Sequence, residues 1–177
     1  GNVLIKNSNI KENEAVIAGF AFFGEDTDIE MVNCLVENNN ATTFGGFIFL
    51  DSSASLNMSN MSFFQNEAIK GAGGAIFASE NNNIILDQCV FESNQAVFGG
   101  SINIFNGNLI CNNCNSINNT AISYEYDTGY GGFIYCDDSN VSLKHSASYK
   151  DSAICMLLFF YISLQNLCMF IIYSFTA

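Results

Sequence analysis

The sequence contains no proline, no tryptophan and no arginine, and it has one histidine and five lysines. Against these five cations stand 17 acidic residues, which give a formal net charge of −12. A nucleic-acid-binding protein needs lysine or arginine to displace counterions from phosphates, so this charge balance excludes that class. It also disfavours charge-driven binding to anionic lipid. The absence of proline fits a fold in which nearly every strand residue donates a ladder hydrogen bond.

Apolar and amide side chains are abundant in the chain. Of its 177 residues, 49% are hydrophobic and 12% are charged, and there are 25 asparagines, 17 phenylalanines and 14 glycines. This balance excludes a disordered tail, and the length suffices for one domain that buries a substantial core.

One sequence pattern occurs six times along the chain. The copies align on the alanine of an Asn-x-Ala step, with periods of 26, 27, 28, 25 and 32 residues. The aligned alanines are Ala15, Ala41, Ala68, Ala96, Ala121 and Ala153. In the sixth copy Asp151 replaces the asparagine. Thirteen residues of constant length end at each alanine, whereas 2 to 9 residues separate it from a following Gly-Gly pair, as in a solenoid with a variable loop on one side.

The spacing within each copy predicts short strands. Apolar residues twelve and ten positions before the alanine, such as Ile29 and Met31, give the period of two that is typical of a strand with one buried face. A second apolar pair predicts another strand, the asparagine predicts a bend, and a third strand follows Gly-Gly. The pattern predicts an all-β fold over residues 1–153: a right-handed parallel β-helix of the pectin-lyase-like type, with about five to six coils of 25–32 residues and three strands per coil.

Stacked coils would place like residues on one another at about the 4.8 Å spacing of neighbouring strands. We therefore expect phenylalanines to stack in the core and the repeated asparagines to hydrogen-bond from coil to coil. Gly-Gly would supply backbone freedom at the next corner. The repetition thus predicts architecture rather than chemistry.

Two copies carry a complete FxxN motif followed by GGAI or GGSI. These are Phe63–Asn66 with Gly73–Ile76, and Phe91–Asn94 with Gly99–Ile102. The pairing resembles the repeat of chlamydial polymorphic membrane proteins and related β-helix surface proteins of microbes and protists. The resemblance implies an exported, surface-displayed β-helix without enzymatic activity, used in adhesion or as a scaffold.

Parallel β-helices also include pectate lyases and polygalacturonases, so a carbohydrate-active enzyme or a carbohydrate-binding module is the alternative. The usual lyase needs an arginine base, which the chain lacks. A hydrolase needs carboxylates that converge on one face, and Asp87, Asp137 and Asp138 fall on different sheets or corners. His145 occupies an outward position. We therefore predict no catalytic residue.

The segment Gly24–Glu30 contains Glu25, Asp26 and Asp28 in one loop. Calcium binds clustered carboxylates, but the longer ordered ligand set of an EF-hand is absent. A solvated acidic corner is the favoured interpretation, and no metal or cofactor is predicted.

Five of the seven cysteines fall in inward columns of the repeat. Cys34, Cys89 and Cys114 share one column, and Cys111 and Cys136 lie in two others. Buried free thiols are favoured because cysteine behaves as a small hydrophobe. A disulfide between Cys89 and Cys114, on neighbouring coils, is the alternative. The CNNC segment from Cys111 to Cys114 has no second pair to complete a four-ligand metal site.

Five N-x-S/T sequons lie at predicted outward or corner positions, where a glycosyltransferase has access. Their asparagines are Asn40, Asn57, Asn60, Asn118 and Asn140. This placement favours a secreted eukaryotic glycoprotein. The longest loop contains Tyr124, Tyr126 and Tyr130, and such tyrosine-rich loops suit recognition of proteins or sugars. A loop whose tyrosines pack on its own sheet is the alternative.

The repeat ends near residue 153, and residues 154–177 form a separate apolar C-terminal segment. Residues 154–173 are long enough to span a bilayer as a helix. Three interpretations stay open: a transmembrane helix, a removable anchor signal, or an apolar cap on the last coil. At the other end, Gly1 leads directly into a coil, which suggests a processed product or a fragment.

An uncapped first coil is an exposed sheet edge, and such an edge invites pairing with another chain. The predicted function is therefore that of an extracellular or cell-surface structural or adhesive protein. Its predicted partners are further copies stacked end to end, other surface proteins or glycans.

Overall fold

The computed structural model describes residues 1–122 and 129–153. Within them the regular secondary structure consists of 23 β-strands, which form successive coils. The first coil contains β1 (Asn2–Lys6), β2 (Asn9–Lys11), β3 (Glu14–Ile17) and β4 (Ala21–Phe23). The second contains β5 (Asp28–Val32), β6 (Leu35–Glu37), β7 (Asn40–Phe44) and β8 (Ile48–Leu50). The third contains β9 (Ser55–Ser59), β10 (Ser62–Phe64), β11 (Glu67–Ala72) and β12 (Ile76–Ala78).

The later coils repeat this order of strands. The next contains β13 (Asn83–Asp87), β14 (Val90–Glu92), β15 (Gln95–Phe98) and β16 (Ile102–Phe105). It is followed by β17 (Asn108–Asn112), β18 (Asn115–Ile117), β19 (Thr120–Ala121) and β20 (Ile134–Asp137). The last described strands are β21 (Asn140–Lys144), β22 (Ala147–Tyr149) and β23 (Ser152–Ala153).

Four parallel sheets run along the stack, and each takes one strand from every successive coil. We call them sheets A, B, C and D, after the first, second, third and fourth strand of a coil; they contain six, six, six and five strands. The all-β parallel solenoid is confirmed. The prediction of three strands per coil is wrong, because the alanine, the residue before it and part of the segment that follows also pair with their neighbours and form sheet C.

The register of the sheets matches the columns of the sequence repeat. Ile29 pairs with Val3 on one side and with Leu56 on the other, and Phe63 pairs with Phe91. The rings of Phe63 and Phe91 stack with centroids 4.5 Å apart and planes 7° apart, and both are buried. The predicted stacking of phenylalanine in the core is confirmed.

The corner between sheets B and C differs by one residue from the prediction. Asn38, Gln65 and Ser93, which directly precede the repeated asparagines, adopt the left-handed backbone with φ of 51° to 57°. The repeated asparagine itself lies one step later, inside the stack. The backbone bend therefore falls on the residue before the asparagine, and the asparagine side chain can hydrogen-bond between coils.

The Gly-Gly pairs close the corner between sheets C and D. Gly73 has a φ of 69°, a conformation that glycine adopts without steric cost. A Cβ on Gly74 would lie 2.0 Å from the carbonyl oxygen of Gly100 in the next coil. The first glycine therefore adopts the left-handed backbone conformation of the corner, and the second allows the backbones of two neighbouring coils to lie close together.

A continuous asparagine ladder runs through the buried corner, and we define it as Asn13, Asn39, Asn66, Asn94, Asn119 and Asp151. Asn39, Asn66, Asn94 and Asn119 are fully buried. In each, the backbone N–H and the side-chain Nδ2 donate to Oδ1 of the ladder residue in the next coil, at 2.7–3.1 Å. The predicted coil-to-coil bonding of these amides is confirmed. All these bonds point the same way along the stack, so the ladder is directional.

Candidate interaction surface

The three acids considered in the sequence lie apart in the structure. Asp87 lies at the end of β13, whereas Asp137 ends β20 and Asp138 occupies the following corner. Asp137, Asp138 and His145 are exposed. Among residues 1–122 and 129–153 no group of three or more His, Cys, Asp or Glu side chains is placed to hold a metal ion.

The grooves on the surface are shallow. One, of about 310 Å³, runs over the first coils of sheet A and is lined by Leu4, Asp28, Glu30 and Asn57 among others. Another, of about 240 Å³, lies on sheet B. The acidic loop with Glu25 and Asp26 is a solvent-exposed corner, and the carbonyl of Asp26 accepts a hydrogen bond from the amino terminus. Neither groove brings acidic groups from two sheets together.

The most distinctive surface is a band of aromatic side chains on the outward face of sheet D and the adjoining corner. We define this aromatic strip as Phe22, Phe44, Phe49, Phe77, Phe98, Tyr130 and Tyr135. Phe22, Phe49 and Phe77 occupy successive coils, with centroids 4.9 and 4.8 Å apart. They alternate with the inward residues of the same strands, so the period of two that fills the core also places rings outside.

The strip has two parts. Phe44 joins the first part by packing against Phe77, with centroids 4.7 Å apart. In the second part Phe98 and Tyr130 stack at 5.5 Å with planes 3° apart, and Tyr135 contacts both. Between the two parts the column contains Asn103, which is buried.

Stacking determines what the strip presents to solvent. Phe22 and Phe49 lie nearly parallel, 16° apart, whereas the ring planes of Phe44 and Phe77 are tilted by 41°. Phe22 is 55% exposed and Phe44 36%. The strip thus presents apolar ring surface to solvent.

Of the three tyrosines in the predicted binding loop, Tyr130 lies among the described residues. Tyr124 and Tyr126 lie outside the described residues. Tyr130 is exposed and stacks on Phe98. Burial, followed by the nearby charge of Asp137, raises the pKa of Tyr135.

The five sequon asparagines differ in their surroundings. Asn57, Asn60, Asn118 and Asn140 are exposed, whereas Asn40 is half-buried. The Nδ2 atoms of Asn60 and Asn140 donate to asparagines of the preceding coil, at 2.7 and 3.0 Å. Asn57 and Asn118 make no side-chain hydrogen bond with the described residues. Glycosylation stays a prediction, with these two asparagines the most accessible.

Cys89, Cys111 and Cys114 lie together in the core and are fully buried as free thiols. The thiol of Cys114 donates to the carbonyls of Leu86 and Asn112. Interaction with Cys114 and burial raise the pKa values of Cys89 and Cys111. The disulfide between Cys89 and Cys114 stays a prediction. Cys136 pairs with the buried Ile104 but is itself exposed, because its strand is at the edge of sheet D.

The C-terminal predictions fall largely outside the described residues. The interpretations of residues 154–177 concern a segment that the structure does not describe. Across residues 1–122 and 129–153, no helix is long and apolar enough to cross a membrane.

Comparison with known proteins gives one similarity. Over 168 aligned residues, covering 86% of this chain, the sequence is 28% identical to the probable autotransporter YfaL of Escherichia coli (strain K12). The chain spans 13% of the length of that protein. It matches no protein-family profile and no solved structure.

Proposed function

We propose that this chain is a non-enzymatic β-solenoid segment of a cell-surface or secreted protein, where it acts as a structural and adhesive element. The observation that carries the proposal is a regular parallel solenoid similar over most of its length to a probable autotransporter. The shallow grooves and separated acids favour this function over polysaccharide cleavage. The resemblance to the FxxN and GGAI repeats of chlamydial surface proteins supports the same interpretation.

The aromatic strip is the proposed adhesive surface. Its exposed rings provide apolar area on a rigid sheet, which lowers the entropic cost of binding. A cluster of exposed apolar side chains is typical of an interaction site. The proposed partners are therefore apolar surfaces of other surface proteins, together with further solenoid coils at the ends of the stack. For a eukaryotic source, the proposal includes glycans attached to the sequon asparagines.

Adhesion can be tested with beads coated with the full chain and scored for retention on alkyl-coated and hydroxyl-coated glass. We expect retention on the alkyl surface, and a several-fold loss in the double variant Phe22→Ser with Phe49→Ser. The matched control is Leu4→Ser with Val16→Ser, because Leu4 is 60% and Val16 66% exposed and neither belongs to the strip. Equal retention by both double variants would remove the strip from the proposal.

Surface display and the lack of catalysis need separate measurements. Antibody binding to intact cells, compared with lysed cells, tests whether the protein is on the surface. Purified chain incubated with polygalacturonate and other plant or microbial polysaccharides should release no new reducing ends. Turnover there would favour the carbohydrate-active alternative.

A further inference from the structure

A small groove on the outward face of sheet B combines an aromatic ring, two apolar side chains and two carboxylates. Its volume is about 240 Å³, and the residues that line it include Leu35, Glu37, Phe64, Val90 and Glu92. This volume lies below the roughly 300–1,000 Å³ that is typical of small-molecule sites. The groove therefore has room for one side chain of a partner rather than for a whole small molecule.

The register of sheet B places Phe64 between the two acids. Phe64 pairs with Glu37 in the coil before it and with Glu92 in the coil after it, and neighbouring strands lie about 4.8 Å apart. Leu35 and Val90 lie two positions earlier on the two flanking strands, so they share the same outward face. The groove thus has negative charge on both sides of one ring and an apolar wall beside it.

The ring of Phe64 and the carboxylate of Glu92 are open to a partner. Phe64 belongs to none of the ring pairs formed within residues 1–122 and 129–153. In that same part of the chain Glu92 forms no ion pair and no side-chain hydrogen bond. Both side chains are half-buried, so the sheet holds part of each while the rest reaches solvent.

A lysine of the chain already pairs with the other carboxylate of this column. Lys11 pairs with Glu37 in the register of sheet B, and its Nζ lies 3.7 Å from Oε1 of Glu37. On the far side of Phe64 the neighbour of Glu92 is Ile117, which carries no charge. The column therefore contains one carboxylate that the chain neutralises and one that it leaves for a partner.

We propose that this groove binds an arginine side chain of a partner protein. The planar guanidinium stacks on the ring of Phe64 and donates to the carboxylate of Glu92, while its methylene stem packs against Val90. The net charge of −12 favours the approach of a basic partner. Lysine can form the ion pair but lacks the planar group that matches both a ring face and a carboxylate. This site is separate from the aromatic strip, which lies on sheet D.

Weak-affinity chromatography of the full chain tests the proposal. Three columns carry an immobilised, amidated pentapeptide with serine and glycine on either side of a central arginine, lysine or citrulline. Citrulline keeps the shape of arginine without its charge. At about 0.15 M salt, where exposed charges are screened over about 8 Å, the chain should be retained most on arginine, less on lysine and least on citrulline. Equal retention on the arginine and lysine columns would overturn the proposal.

Two substitutions separate the roles of charge and ring. Glu92→Gln should weaken binding to the arginine peptide by about two- to fivefold, the range expected for an exposed ion pair. Phe64→Leu keeps an apolar side chain and should abolish the preference for arginine over lysine. The matched control is Glu80→Gln, which removes the same charge at an exposed position outside sheet B and should leave binding unchanged. An equal loss in Glu92→Gln and Glu80→Gln would show that only net charge is sensed, and the proposal would fail.

The arginine site and the adhesive strip can fail independently. The double variant Phe22→Ser with Phe49→Ser, designed to lose retention on alkyl-coated glass, should bind the arginine peptide as the wild type does. Conversely, Glu92→Gln should keep the wild-type retention on alkyl-coated glass. Loss of arginine binding in the strip variant would place the arginine contact on sheet D and overturn its assignment to sheet B.

Discussion

Removing one amide from the middle of the asparagine ladder should destabilise the solenoid strongly. Oδ1 of Asn94 accepts hydrogen bonds from the backbone N–H of Asn66 at 2.9 Å and from its Nδ2 at 3.0 Å. Its own Nδ2 donates to the carbonyl of Phe63 at 3.1 Å and to Oδ1 of Asn119 at 3.0 Å. Asn94→Ala deletes these four, together with a longer hydrogen bond from Nδ2 to Ser101 Oγ at 3.4 Å. At about 1 kcal/mol for each net hydrogen bond, the free energy of unfolding should fall by about 4 kcal/mol.

The same substitution at the end of the ladder provides the control. The side chain of Asn13 is only half-buried and donates two hydrogen bonds, to Asn39 Oδ1 at 2.8 Å and to the carbonyl of Lys11 at 3.2 Å. Because water can replace these partners at the exposed edge, Asn13→Ala should cost about 1 kcal/mol. The two variants lose the same atoms and differ in burial and in the number of neighbours.

Urea and thermal unfolding followed by far-ultraviolet circular dichroism and by tyrosine fluorescence would measure both costs. Coincidence of the two signals is needed, because repeat arrays can unfold in stages. For a chain of this length, the loss at Asn94 corresponds to a melting temperature lower by roughly 8–16 °C. Equal losses at the two positions would refute the claim that the buried ladder stabilises the fold through its hydrogen bonds.

The structure also determines the expected effect of two further substitutions on the melting temperature and the expected order in which two cysteines are alkylated. Gly74→Ala should prevent normal stacking, because its Cβ would lie 2.0 Å from a backbone oxygen of the next coil, whereas Gly24→Ala, with no atom within 4 Å, should leave the melting temperature unchanged. Burial raises the pKa of Glu67, so the folded state favours its neutral form, and stability falls as pH rises from the ordinary value of 4.5 through the raised pKa. Glu67→Gln should therefore raise the melting temperature at pH 7 and leave it nearly unchanged at pH 3; a loss at pH 7 would contradict the burial argument. In mass spectrometry after brief alkylation, Cys136 should be modified before Cys89, since it is exposed and Cys89 is buried; the reverse order would contradict the placement of these thiols.

The columns of the core were predictable because each is an alternating pattern repeated at constant spacing. Ile29, Leu56 and Ile84 align in the sequence and pair in sheet A. The thirteen-residue unit leaves one register for these strands, since a shift by one residue would turn the apolar face to solvent.

Sheet C was missed because its strands lack that pattern. In β7 the residues after Ala41 are Thr42 and Thr43, and the pairing shifts register before Phe44. These strands are defined by hydrogen bonds to the neighbouring coils rather than by an apolar face, and local sequence contains no signal for that pairing. The variable length of the segment also favoured a loop.

The aromatic strip could have been predicted from the sequence. Phe49 and Phe77 each follow the inward isoleucine of a Gly-Gly strand by one residue, and the period of two assigns them to the outside. The stacking of their rings from coil to coil follows from the same columns. The exposure of Cys136 depends on its place at a sheet edge, which the repeat by itself does not define.

The ladder pairings described for the sheets connect each coil with the one before it and the one after it, over 25–32 residues of chain. Such a fold can grow from one edge: once a first pair of coils has formed, each new length of about thirty residues finds its complete template already in place. The conformational entropy lost on closing a loop is then similar for each coil, because the loops have similar lengths. A chain delivered gradually through a narrow exit can therefore fold as it emerges, without waiting for a distant segment.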